Sequence, residues 1–237
     1  MAPKVRVRMT TVKAGRGGPR PQRAIVGMFD VLGFRSIVSD TNLQDLAAGY
    51  SRLLRLKLGA AQIPVLHAGG VRTVVSPTTI FSDTILIWAD TARSSLDAFL
   101  ASVSVLIAES VTMGWPLRGG IAVGECILDR TSRVFLGTPI VDANETEKAQ
   151  GWIGAAFHPS CFTKPALARF IQAHDCVRHY QVPVQGAGKP LEWAVHWGDR
   201  VYDARKVVAG LAAKCKSAEG AKKYPPTDAY LAATLGP

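Results

Sequence analysis

The chain lacks paired cysteines. Cys126, Cys161, Cys176 and Cys215 form no CxxC spacing. That argues against a zinc knuckle, a thioredoxin-type centre or a disulfide framework, and the four read as reduced thiols. No apolar run reaches the ~18 residues that cross a bilayer, and the N-terminal stretch lacks the apolar segment of a secretory leader. A soluble, cytoplasmic protein with no membrane partner is expected. Acid is missing from residues 1 to 23, which carry Lys4, Arg6, Arg8, Lys13, Arg16, Arg20 and Arg23. Much of the net charge of +10 therefore sits in a Gly/Pro-containing stretch. Residues 1–22 read as a flexible basic arm. A recognition-helix pattern, zinc-finger spacing and an aromatic RNA-binding motif are all absent, so no stable nucleic-acid partner is expected. Histidines at metal-ligand spacing are missing too: "HDCVRH" (174–179) alternates across a strand. "QGAGKP" (185–190) lacks full phosphate-loop spacing and reads as a hairpin turn.

What is present is apolar and periodic. The 237 residues are 48% hydrophobic, enough for a substantial core. "AIVGMFDV" reads as a buried strand, and "NLQDLAAGYSRLLRLKLGAA" as an amphipathic helix. "VRTVVSPTTIFSDTILIWAD" reads as two β-rich runs that turn at Ser82-Asp83, with a second helix over "SLDAFLASVSVLIAESVTMG". "PLRGGIAVGECIL" is a strand whose glycines mark a close approach. A strand, Gly-Pro turn and helix follow in "VFLGTPIVDANETEKAQGWIG", then a late hairpin from Cys176 to Trp197. A terminal helix from Val201 precedes a Lys/Pro-containing tail. The order predicts an α+β fold, one mostly antiparallel sheet with helices on one face. The expected division is the arm, a main domain over 23–199, and a C-terminal helix and tail over 200–237.

Two aspartates stand out. Asp30 ends the first strand and Asp83 sits at the hairpin tip. If those strands are neighbours, the carboxylates meet, and they repel unless a cation bridges them. Hard oxygen ligands on a rigid sheet suit magnesium or manganese. Leu32-Gly33-Phe34 then turns into a helix, whose free N–H groups suit phosphate oxygens. Spacing alone is equally compatible with ordinary turn aspartates.

Four stretches together carry a resemblance. "FDVLGF" (29–34), "IFSDTILIW" (80–88), "PLRGGIAVGECI" (116–127) and "FLGTPIVDANETEKAQ" (135–150) resemble, in order and spacing, the motifs of class III nucleotidyl cyclases. The resemblance covers roughly residues 24 to 155, with Ser82 where the family has glycine. It implies a ferredoxin-like, cyclase-type sheet and two divalent cations, Mn2+ or Mg2+. Asp30 and Asp83 would be their ligands, joined by the Val31 carbonyl. It also implies that the Leu32, Gly33 and Phe34 backbone holds a triphosphate. The ribose 3′-hydroxyl would attack the α-phosphorus in a head-to-tail homodimer.

The departures carry the specificity. Thr79 stands where adenylyl cyclases have a base-reading lysine, and Val134 where they have an aspartate. Without those polar readers a purine is disfavoured. Val141 and Glu145 replace the family's Asn and Arg, leaving Asn144 and Lys148 as candidates for the ribose and transition-state roles. Arg118 reads as a structural partner of a carboxylate. Tyr50 is a candidate for stacking on the base, alongside Thr79. The pattern resembles the compact bacterial pyrimidine cyclases of anti-phage systems. Those make cyclic CMP or cyclic UMP for a separate effector protein. A purine cyclase with a non-standard pocket, an inactive nucleotide-binding module and a basic nucleic-acid-binding protein are the alternatives.

Overall fold

The computed structural model of the chain describes residues 20–60, 63–67, 70–74, 76–186 and 190–235. Of "QGAGKP", positions 187–189 thus lie outside the described residues, as does the basic arm before residue 20. Strand β1 (Gln22–Val31) leads into a short helix α1 (Phe34–Asp40) and a long one, α2 (Leu43–Ala60). A separate hairpin follows, of β2 (Ile63–His67) and β3 (Gly70–Val74). Next come β4 (Thr78–Phe81), β5 (Thr84–Asp90), α3 (Arg93–Thr112), β6 (Leu117–Asp129), β7 (Val134–Gly137) and α4 (Thr138–Ala149). The chain continues with β8 (Gly154–Phe157), α5 (Pro165–Gln172), β9 (Val177–His179), β10 (Trp193–Val195), α6 (Ala204–Lys214), α7 (Ala218–Ala221) and α8 (Tyr224–Leu235).

Eight strands form one sheet in the order β4-β5-β1-β6-β8-β10-β9, with β7 paired to the far end of β6. All pairings in it are antiparallel except β6–β8. The expected α+β class is therefore observed. The "VRTV" run (71–74) belongs to the separate β2–β3 hairpin, while the turn at Ser82-Asp83 joins β4 to β5 as expected.

Alternation along β1 sorts the two faces of the sheet. Ile25, Phe29 and Val31 enter the main core with Ile85, Ile87 and the apolar side of α3. Ala24 and Val26 face the other way, into a smaller cluster with Leu86, Trp88 and Ile140 of α4. Helices therefore cover both faces, not one. Gly120 and Gly124 make this possible. A Cβ at Gly120 would collide with the Ala143 carbonyl and the Glu147 amide, and one at Gly124 would lie 2.6 Å from Thr138 Oγ1. The "LRGGIAVG" glycines signalled a close approach; the face was not readable from them.

Two other readings change. Helix α3 has the length and composition of a membrane span, contrary to the expectation that no run qualifies. Its Leu96, Phe99, Leu100, Val103, Leu106, Ile107 and Val111 are spent on the core. The expected C-terminal tail instead forms α7 and α8. Pro225 and Pro226 sit in the first turn of α8, where proline starts a helix and does not break it. Tyr230 is fully buried and donates to the Val195 carbonyl (2.9 Å), and Thr227 Oγ1 accepts from the Ile153 N–H (2.9 Å).

Candidate active site

Strand β1 is flanked on both sides, so its register decides what Asp30 faces. Thr84 lies opposite on β5 and Arg118 opposite on β6. Just beyond, the Val31 N–H donates to the Asp83 carbonyl (3.2 Å) and the Leu32 N–H to the Pro116 carbonyl (2.9 Å). The end of the central strand is thereby fixed to the β4–β5 turn and to the α3–β6 connection. This puts the Asp83 carboxylate within hydrogen-bonding range of Asp30. Burial pushes the Asp30 carboxyl up to about 6; the charges of Glu147 and Asp83 add to the rise and Arg118 opposes it.

Two half-buried carboxylates that interact in this way favour a proton or a cation between them. The donor set fits a hard divalent cation: Asp30 and Asp83 would hold it, with the Val31 backbone beside them. Among the described residues there is no cluster of three or more His, Cys, Asp or Glu able to hold a metal ion. Water and substrate oxygens would complete the coordination, as they commonly do for magnesium.

The turn after Asp30 depends on Gly33, which caps α1 at φ 74° with no side-chain cap. A Cβ there would meet nothing within 4 Å, so the glycine is required by the left-handed backbone and not by space. Ser82, at the hairpin tip, also takes a left-handed conformation, φ 57°. Ser82→Gly is expected to stabilise the fold by ~0.5 kcal/mol, relief of strain less the added chain entropy. Denaturant unfolding of the two proteins checks this.

Tyr50, on α2, packs between Phe34 and Trp115, with ring centroids 6.4 and 5.3 Å away. Its hydroxyl donates to the Ser82 carbonyl (3.1 Å). Burial first, then the charges of Asp83 and Asp30, push the phenol up to about 12. The hydroxyl is thus spent on the hairpin tip that carries Asp83. Tyr50→Phe keeps the ring packing and loses that bond. The expected cost is ~1 kcal/mol of stability, with weaker divalent-cation binding in a calorimetric titration.

Helix α4 supplies the opposite wall. A cleft of about 230 Å3 is lined by Asp30, Thr84, Arg118, Asn144, Glu147 and Lys148, among others. One chain therefore brings together Asp30 and both helix candidates, Asn144 and Lys148. Val141 is 55% exposed, and neither it nor Glu145 lines the cleft. Thr79 lies one strand beyond β5, opposite Leu86, on the same sheet face as Asp30 by register. Val134 opens β7, opposite Asp129.

The residue that sequence reasoning missed is Glu147. It is buried, and its Oε1 accepts from both Nε and Nη2 of Arg118 at 2.6 Å. Arg118 Nη1 donates to the Gln150 carbonyl (3.0 Å). Arg118 is a structural partner, as read. The available signal was the Thr146-Glu147 pair on the helix side that abuts Gly120.

No protein family and no curated protein matches the chain. Solved structures do. A bacterial light-regulated adenylyl cyclase superposes with TM-score 0.53 at 14% identity, over 83% of this chain and 58% of that one. The fold is that of nucleotidyl cyclase catalytic domains. The catalytic core of a rhodopsin-guanylyl cyclase with converted specificity, in complex with ATPαS, gives 0.52 at 14% identity, over 76% and 99%. The guanylate cyclase domain from Catenaria anguillulae in complex with GTP gives 0.50 at 14% identity, over 75% and 98%. The cyclase fold of this chain thus spans nearly the whole of two isolated cyclase domains and 58% of the longer light-regulated enzyme.

Proposed function

We propose that the chain is a pyrimidine nucleotide cyclase that converts CTP or UTP to the 3′,5′-cyclic monophosphate and pyrophosphate. The observation that carries the reading is the Asp30–Asp83 carboxylate pair at the end of the central strand of a cyclase fold. The new bond joins the ribose 3′-oxygen to the α-phosphorus; the bond from that phosphorus to the bridging oxygen breaks. Magnesium or manganese ions held by Asp30 and Asp83 would supply the lowered hydroxyl pKa and neutralise the leaving pyrophosphate. The Leu32–Gly33–Phe34 backbone positions the triphosphate. Asn144 orients the ribose, and Lys148 offers positive charge to the cleft. Thr79 and Val134 present no purine-reading Lys or Asp, which supports a pyrimidine base. The active form is a homodimer in the cytoplasm, and its product is a second messenger for a separate anti-phage effector.

One observation favours a second reading, an inactive nucleotide-binding module. Arg118, the arginine in the cleft, is tied to buried Glu147, which leaves exposed Lys148 as the mobile cation. Incubation with ATP, GTP, CTP and UTP in turn, with manganese, followed by chromatography, decides between them. A cyclic pyrimidine monophosphate is expected. Turnover of ATP or GTP above the pyrimidines would replace the base assignment. Nucleotide binding without pyrophosphate release would establish the inactive module.

A further inference from the structure

At the far end of β1 from Asp30 lies a pocket of about 340 Å3, within the range of small-molecule sites. Arg23 and Asp30 are seven residues apart on one strand, roughly 23 Å at strand rise. Three cations line this pocket, Arg23, Arg93 and Lys164, and no carboxylate does. None of the three has an ion pair among the described residues. Arg23 Nε is buried there without a hydrogen-bond partner among the described residues. The nearby acids are otherwise placed. Asp90 accepts from the Ala92 N–H (2.8 Å), and Glu125, opposite Arg23 on β6, forms no ion pair with it. Burying a guanidinium nitrogen unpaired is costly, so its partner is expected to come from beyond the described residues, and a bound anion supplies one.

Two further features converge on the same place. The first turns of α3 and of α5 both line the pocket, and neither helix has a side-chain cap. Uncapped helix starts favour anions. Leu96, Leu167 and Phe170 form the remaining wall, with the Arg93 guanidinium 5.5 Å from the centre of the Phe170 ring. The site thus combines three cations with apolar side chains, and is larger than an inorganic phosphate requires.

We propose that this pocket binds a small phosphomonoester, its phosphoryl group held by Arg23, Arg93 and Lys164 and its organic part seated on Leu96, Leu167 and Phe170. The site is separate from the cleft that holds Asp30 and does not depend on what that cleft catalyses. Phenyl phosphate is the probe, titrated calorimetrically into the full chain beside inorganic phosphate and phenol. Phenyl phosphate is expected to bind, inorganic phosphate more weakly by about tenfold, and phenol not at all. Lys164→Gln and Arg23→Gln should each weaken phenyl phosphate by about tenfold, the scale of one charge-assisted hydrogen bond. Asp30→Asn should leave it unchanged. Arg93→Gln also removes the contact with Phe170, so its thermal midpoint is measured with its affinity. Binding lost in Asp30→Asn and kept in Lys164→Gln would overturn the site. Equal affinity for phenyl phosphate and inorganic phosphate would overturn the organic half of the assignment. Absence of binding by either anion would overturn the whole.

Discussion

Asp30→Asn is expected to abolish cyclisation and, at neutral pH, to make the protein more stable. The catalytic loss should be at least ~100-fold, since removing even an outer partner of a metal ligand costs up to that. Asp83→Asn should lose cyclisation to the same extent. The stability gain follows from the sign of the shift. Asp30 ionises at about 6 in the fold against an ordinary 3.8, so the neutral form is the one the fold favours. Its contribution to stability is present below pH ~4 and is lost as pH rises through 6. The group is half-exposed, and screening reduces the effect to about 1 kcal/mol, or ~2–4 °C in melting temperature. The asparagine variant should therefore melt higher than the parent at pH 7.5 and level with it at pH 4. Manganese should close the gap by stabilising the parent alone. A variant that still releases pyrophosphate at the parental rate would remove Asp30 from the chemistry.

Glu147→Ala should give the largest structural loss. It leaves the Arg118 guanidinium with only the Gln150 carbonyl, in a site whose side chains are 14% and 5% exposed. Breaking one side of a buried pair costs ~3–5 kcal/mol, roughly a 10 °C fall in melting temperature. Replacing both partners is different. Arg118→Met combined with Glu147→Leu should recover most of that loss, because neither charge is then left unpaired. The double variant also has an electrostatic readout. Glu147 raises the Asp30 carboxyl more than Arg118 lowers it. Removing both should move the acid limb of the pH–activity profile downward. A double variant as unstable as Glu147→Ala would show that the fold depends on the pair itself and not merely on its neutrality.

Much of this fold is legible in the sequence. The Asp30 strand, the Ser82-Asp83 turn and the Gly-Pro start of α4 are local signals within a few residues of one another. The sites they mark came together because β1 is central, a consequence of its apolar, doubly buried run. Other features had no local signal. Which face α4 covers depends on the parity of Gly120 and Gly124 along β6, relative to a core formed by residues far away in the chain. Glu147 looks like a solvent-facing helix carboxylate until Arg118, 29 positions earlier, is placed against it. Tyr50 has the spacing of a core residue, and its ring is one; its hydroxyl finds Ser82 only through the fold. Docking of α8 was hidden by Pro225-Pro226, which marks the start of a helix as readily as the end of structure.

The two candidate metal carboxylates stand on elements of unequal permanence. Asp30 is on a strand hydrogen-bonded on both sides, the kind whose amides exchange with solvent only on global opening. Asp83 is on a turn whose outer strand, β4, has only four residues and is an edge strand of the sheet among the described residues. Phe81 beside it is 83% exposed. Fraying of that edge separates the carboxylates while the rest of the sheet stays closed. In mild denaturant, activity should therefore disappear before the tryptophan signal of the core changes, and deuterium should enter β4 well ahead of β1.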